Sequence, residues 1–334
     1  MPKTTSLLYG GKTICLMLLA FSVTHETPAH ACCGGQSLAS TLFENSQVSG
    51  GVDGRGYWRE FERPSAELYG VFLNFRKIFS DDLGDRWILS LQGDAEHDLK
   101  EIRSYQSFLQ YKGPLGKWNV RAGHFILPFG LLNDLDTERL LLQSNEEETV
   151  GVKLDTGVSV FGFVEDWNWA LSLTSGLGRR WVSRYKDTYL STIRVSRKLE
   201  ELTLGGSILI GEVMPDEDFA IQGEKVREQK IALDALYDFG QWVARLELLF
   251  GQEEGNSMGG AQGFFDYRLS SLWELNFKGG SILRRESEHD IGAGVSFRPW
   301  AGWVFRAADL YRFERERNEN EFKIQVAYEF SRGL

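Results

Sequence analysis

The sequence predicts an all-β chain closing into a transmembrane antiparallel β-barrel of about sixteen strands, wound as an up-and-down meander. Three observations carry that prediction. Apolar and polar residues alternate with period two along most of the chain, connections sort by parity into tight turns and longer loops, and no continuous apolar run reaches the ~18 residues of a spanning helix. The 334 residues would allow two ordinary domains, but barrels of this length run as one unit. A net charge of -10 argues against a nucleic-acid partner, and 36 Gly with 7 Pro and 13% aromatic residues suit a sheet protein over a disordered one.

The N-terminus divides into two short pieces before the barrel. Residues 1–31 read as a signal peptide, with Lys3 and Lys12 as the charged region, Ile14 to Val23 as the apolar core, and Ala29-His30-Ala31 as a small-x-small cleavage site. Residues 32–46 are small and polar, fit for a periplasmic lead-in or a short plug, and residues 47–334 form the barrel. Cys15 leaves with the signal, and adjacent Cys32 and Cys33 cannot frame a disulfide network. Three readings of that pair stay open: inert or vicinal thiols, lipidation of Cys32, or a link to a partner or metal.

The first strand sets Val48, Val52 and Trp58 against Gln47, Asp53, Arg55 and Arg59. In the second, Tyr69, Val71, Leu73 and Phe75 point outward and Phe72, Asn74 and Arg76 inward; in the third, Trp87, Leu89 and Leu91 oppose Ser90, Gln92, Asp94 and Glu96. The fourth offers Tyr105, Ser107, Leu109 and Tyr111 opposite Gln106, Phe108 and Gln110, and the fifth Trp118, Val120 and Ala122 opposite Asn119 and Arg121. A sixth strand is expected over 149–164, where Val150, Val152, Leu154, Val158 and Val160 alternate with Lys153, Asp155, Ser159 and Phe161, long enough for a tilted bilayer crossing. The remaining strands fall at 169–175, 189–198, 202–211, 230–238, 242–251, 265–275, 280–285, 291–298, 303–314 and 322–330.

Every second connection is tight, including Ser80 to Asp85, Gly113 to Lys117, Asn276 to Gly280 and Pro299 to Gly302; the long ones are 128–148, 177–188, 213–227 and 253–262. Sandwiches have no reason to sort loops this way, whereas outer-membrane barrels keep short turns on the periplasmic side. Trp58, Trp118, Trp169, Tyr189, Trp242, Trp273 and Trp303 lie toward strand ends, where interfacial girdles form. Asp309 is the misfit, sharing parity with Trp303 and Tyr311, and marks a bulge or an interface.

The last strand alternates Phe322, Ile324, Val326, Tyr328 and Phe330 with Lys323, Gln325, Ala327 and Glu329, before a tail of Ser331 to Leu334. It resembles the C-terminal signal read by the barrel assembly machinery of Gram-negative bacteria. The run Arg121-Ala122-Gly123-His124-Phe125, then Pro128-Phe129-Gly130, resembles the corresponding motif of the phosphate-selective porin family. That resemblance implies a sixteen-stranded channel in the bacterial outer membrane through which small, often anionic, solutes diffuse; it transfers no phosphate site, because the family's selectivity residues are not matched here.

On the inward set, Arg55, Arg76, Arg121, Lys153, Arg194, Arg245, Arg268 and Arg306 are the candidate pore-lining cations, facing acids such as Asp53, Asp94, Asp234 and Glu247. In general porins the third external loop bends inward. By count, the loop carrying Asp134, Asp136, Glu138 and Arg139 is the third, so it is a candidate constriction giving a transverse field, set against the bland reading of a solvated mouth loop. No His-x-x-x-His, Cys-x-x-Cys or Gly-x-Ser-x-Gly spacing accompanies His97, His124 and His289, so no enzyme, metal or cofactor is expected. Two functions stand: a porin-like channel for passive diffusion of small hydrophilic solutes or ions, anions included, or a barrel sheath anchoring a periplasmic or surface partner such as a multihaem cytochrome. Expected partners are outer-membrane lipids, the assembly machinery and, under the first reading, further copies in a homotrimer.

Overall fold

The structure is a computed structural model that describes residues 44–334, except 61, 83, 97, 134–139, 145–149, 180–186, 215–224, 285–286 and 314–317; of 101 and 102 it describes the backbone alone. The segment 1–31 read as a signal peptide, most of the expected lead-in, Cys32, Cys33, His97, Asp134, Asp136, Glu138 and Arg139 therefore lie outside the described residues.

The strands, in chain order, are β1 (Ser46–Arg59), β2 (Ser65–Asp81), β3 (Gly84–Glu96), β4 (Glu101–Lys112), β5 (Trp118–Ile126), β6 (Leu154–Val164), β7 (Trp167–Thr174) and β8 (Tyr189–Leu199). Then follow β9 (Leu202–Val213), β10 (Val226–Phe239), β11 (Trp242–Glu253), β12 (Asn256–Arg268), β13 (Trp273–Leu283), β14 (Ser287–Phe297), β15 (Trp303–Phe313) and β16 (Asn318–Gly333). Each pairs antiparallel with its neighbour in sequence, and β16 closes on β1, so the sheet is a closed sixteen-stranded up-and-down barrel with no open edge.

The two faces invert the rule for soluble proteins. On β10, Lys230, Ala232 and Asp234 are 1%, 0% and 6% exposed, while Ile231 and Leu233 between them are 51% and 52% exposed. Charge sits inside and bulky hydrocarbon outside, the arrangement suited to lipid around a polar lumen. At the rim of the tight turns, aromatic side chains from adjacent strands pair as Trp87–Tyr111 (4.9 Å), Tyr111–Trp118 (5.5 Å), Trp242–Tyr267 (4.0 Å), Trp273–Phe297 (4.3 Å) and Trp303–Tyr328 (5.2 Å). Trp58 meets Phe322 at 5.7 Å on the opposite rim. These are the girdles expected from the sequence.

Five expectations are corrected. The sixth strand begins at Leu154, and Val150 and Val152 belong to the preceding loop, buried in its apolar core instead of facing lipid. Asn276 to Gly280 is not a turn: Gly279 and Gly280 pair within the ladder on both sides. The turn is Leu269–Leu272, where Ser270 Oγ accepts the backbone N–H groups of Leu272 and Trp273 at 3.2 Å each. Segment 253–262 is not a long loop but a tight hairpin on Glu254 and Gly255, whose φ values of 50° and 75° give it the twist of the flanking strands. The register shifts at Asp53/Gly54 opposite β2, and at Leu91/Gly93 opposite β4. These bulges turn Tyr69 and Tyr105 off the outward set into one recess with Asp53, Asp94 and Glu96. Asp309 pairs in regular register with Ala293 and Phe322 and is exposed on the outer face, which removes the bulge reading.

Candidate functional site

The chain between Ile126 and Leu154 carries seven Leu, one Phe and two Val, apolar area that is stabilised by burial. Its described parts fold into the lumen. Leu127, Phe129, Val150 and Val152 bury against Leu190, Leu209, Val213, Ala232, Leu249 and Met258, contributed by β8 to β12. A second cluster joins Leu132, Leu141 and Leu142 to Phe264, Ala308 and Leu310 of β12 and β15.

Polar groups of the wall then fasten the loop's main chain. Gly130 N–H donates to Ser207 Oγ at 3.0 Å, and the N–H groups of Leu131 and Leu132 both donate to Glu247 Oε2, at 2.7 and 3.0 Å. Gly130 has a φ of 69°, and a Cβ there would strike the Glu247 carboxylate, so the motif's last residue is glycine for two reasons. Lys230 Nζ donates to the Val150 carbonyl at 2.9 Å while held by Glu228 (3.2 Å) and Glu253 (3.3 Å). Asn133 Nδ2 donates to the Leu127 carbonyl at 2.8 Å, closing the turn at Pro128-Phe129-Gly130.

The far flank is held elsewhere. Gln143 Nε2 donates to the Tyr69 hydroxyl of β2 at 3.1 Å. In a ring of sixteen strands β2 and β10 face each other, so Gln143 and Val150 are anchored on opposite walls of the lumen.

The structure disperses the eight basic residues singled out by the sequence. Arg55 and Arg306 are brought together through one network: Arg55 pairs with Asp53 at 2.7 Å and stacks 3.3 Å over Tyr69, Gln325 Nε2 donates to Asp53 at 2.6 Å, and Arg306 donates to Gln325 at 2.7 Å. Arg194 forks onto Asp234 at 2.6 and 2.9 Å and donates to Ser207 Oγ at 3.2 Å, beneath the loop. Arg245 pairs with Asp266. Arg76 and Arg268 are exposed at inward ladder positions opposite Ser90 and Glu274.

Arg121 is half-buried, bonded to Gln110 Oε1 at 3.1 and 3.4 Å. Lys153 is a correction: it is not on a strand but in the buried loop base, where its carbonyl accepts the Leu127 N–H at 2.9 Å.

Sequence reasoning placed Glu247 and Lys230 inward but missed that they hold main chain. The readable signal was the run of apolar residues at inward positions, Leu190, Leu209, Ala232 and Leu249, which a water-filled wall does not need. Tyr69 left no signal, because a bulge is not written in period-two alternation.

With the barrel and its inward-folded loop described, the chain defines a porin fold. No family model matches the sequence, and no curated protein does. The chain is similar in structure to an anion-selective porin from Comamonas acidovorans, with a TM-score of 0.66 at 10% identity, covering 85% of this chain and 99% of that one. OmpT, an outer membrane protein of Vibrio cholerae, superposes with a TM-score of 0.65 at 10% identity over 85% of this chain and 97% of its own. Salmonella typhi OmpF in complex with daunomycin gives 0.65 at 9% identity over 86% and 98%. At such identities the likeness is one of fold.

Proposed function

We propose that this chain is an outer-membrane porin, a water-filled passage for passive diffusion of small hydrophilic solutes, with its bore set by loop 127–153 and a preference for anions. The observation that carries the reading is the loop anchored to opposite walls inside a barrel whose inner face is charged and whose outer face is apolar. A lumen occupied in this way leaves less room for a protein guest, which favours the channel over the cytochrome-sheath reading. Under this proposal the chain is a channel and not an enzyme, and its lasting partners are outer-membrane lipids.

Anion preference is supported by Arg76 and Arg121, which stand among hydroxyls and amides on the wall of β2 to β6. The likeness of residues 121–130 to the phosphate-selective porin motif points the same way. The test is the purified chain in a planar bilayer under a salt gradient. Discrete steps with an anion-favouring reversal potential are expected, and Arg121→Glu shifts that potential toward cations. A silent bilayer overturns the proposal.

A further inference from the structure

We infer that the lumen wall at Phe108, Gln110, Arg121 and Phe161 is a binding station for small aromatic carboxylates, solutes with one flat apolar ring and one carboxylate; this rests on the diffusion-channel reading above. The ladder register builds the station. Arg121 of β5 lies opposite Gln110 of β4 and Ser159 of β6. Phe108 stands two residues before Gln110 and Phe161 two residues after Ser159, so both rings sit diagonally from Arg121 on the inward face. Their centroids lie 4.4 and 4.9 Å from the Arg121 guanidinium carbon, with Phe125 at 5.9 Å behind.

Two phenylalanines face the passage on a stretch of wall whose other inward positions include Ser90, Asn119, Ser159 and Ser172, with buried Ile88 opposite Gln110. The guanidinium attracts the rings' faces, and Gln110 fixes its orientation, so a cation and apolar planes are presented together with little left to order on binding. Arg121, Phe108 and Phe161 are each half-buried, so each keeps surface for a solute. The ladder neighbours Ser90, Asn119 and Ser159 carry no charge, and Arg76, opposite Ser90 in the same row as Phe108, adds a second cation.

A chloride or acetate ion uses only the guanidinium. An aromatic carboxylate uses the same positive charge and also sets its ring against phenylalanine, whereas a neutral aromatic uses the rings alone. Solute residence should therefore rank aromatic carboxylate first, aliphatic carboxylate of equal charge second and neutral aromatic third.

The experiment records single-channel current through the unmodified chain in potassium chloride with benzoate, acetate or benzyl alcohol added. Benzoate is expected to interrupt the current with dwell times about tenfold longer than acetate, from the extra ring contact. In a Phe108→Leu/Phe161→Leu variant the benzoate interruptions shorten to those of acetate. Equal dwell times for benzoate and acetate in the unmodified chain, or a double variant that still holds benzoate, overturn the inference while leaving the channel reading intact. A chain that gives no steps in chloride alone overturns both.

Discussion

Two stretches of the inner wall use the same alternation for opposite ends. From β8 to β12 the inward positions include Leu190, Leu209, Ala232 and Leu249, with Ser207, Glu247 and Lys230 among them to grip main chain, and the loop is seated there. From β3 to β6 the inward positions include Ser90, Gln110, Asn119, Arg121 and Ser159, with Ile88, Phe108 and Phe161 among them, and none of the loop anchors described above falls on them. Inward apolar residues gathered from successive strands therefore mark a seat for protein, and a mostly polar stretch of wall marks contact with water.

If the β8–β12 wall is a seat, its largest single contributor is Phe129, fully buried in the loop cluster. Phe129→Ala should weaken the seating by about 3–5 kcal/mol, read as faster proteolysis within 127–153 and larger, noisier conductance steps. Unchanged protease resistance would contradict a loop seated on this wall. Next comes Glu247→Ala, which leaves the N–H groups of Leu131 and Leu132 without their acceptor, at about 1–3 kcal/mol for each. Glu247→Gln, keeping an acceptor oxygen, should fall between that variant and the unaltered chain.

Charge sharpens the contrast at smaller magnitude. Arg121→Gln should lower anion preference in a reversal-potential measurement more than Arg194→Gln, whose guanidinium is already forked onto Asp234 beneath the loop. The reverse order would place solutes on the wrong side. Tyr69→Phe should have the smallest effect, since it removes one hydrogen bond to Gln143 worth about 0.5–1.5 kcal/mol and shows only as added current noise.

The barrel was legible in the sequence because period two is a direct consequence of strand geometry, and lipid outside with water inside writes it strongly, as on Ile231 and Leu233 between Lys230, Ala232 and Asp234. Tight turns were less legible. Gly279-Gly280 looked like a break but is only a pair of small residues in a ladder, while Glu254-Gly255 is a two-residue turn inside what read as a long loop. The site was half legible: parity put Arg121, Phe108 and Phe161 on the inner face. It could not show that Val150 and Val152, in perfect strand phase, leave the sheet to pack on the loop's core, because that choice is made by Leu209 and Leu249 far along the chain.

That loop 127–153 sets the bore of a water-filled passage is tested most directly by single-channel conductance of the purified chain beside a version with residues 128–144 replaced by a short Gly-Ser linker. Conductance steps from both, larger in the linker version, are the expected result. Steps of equal size, or none from either chain, would contradict it.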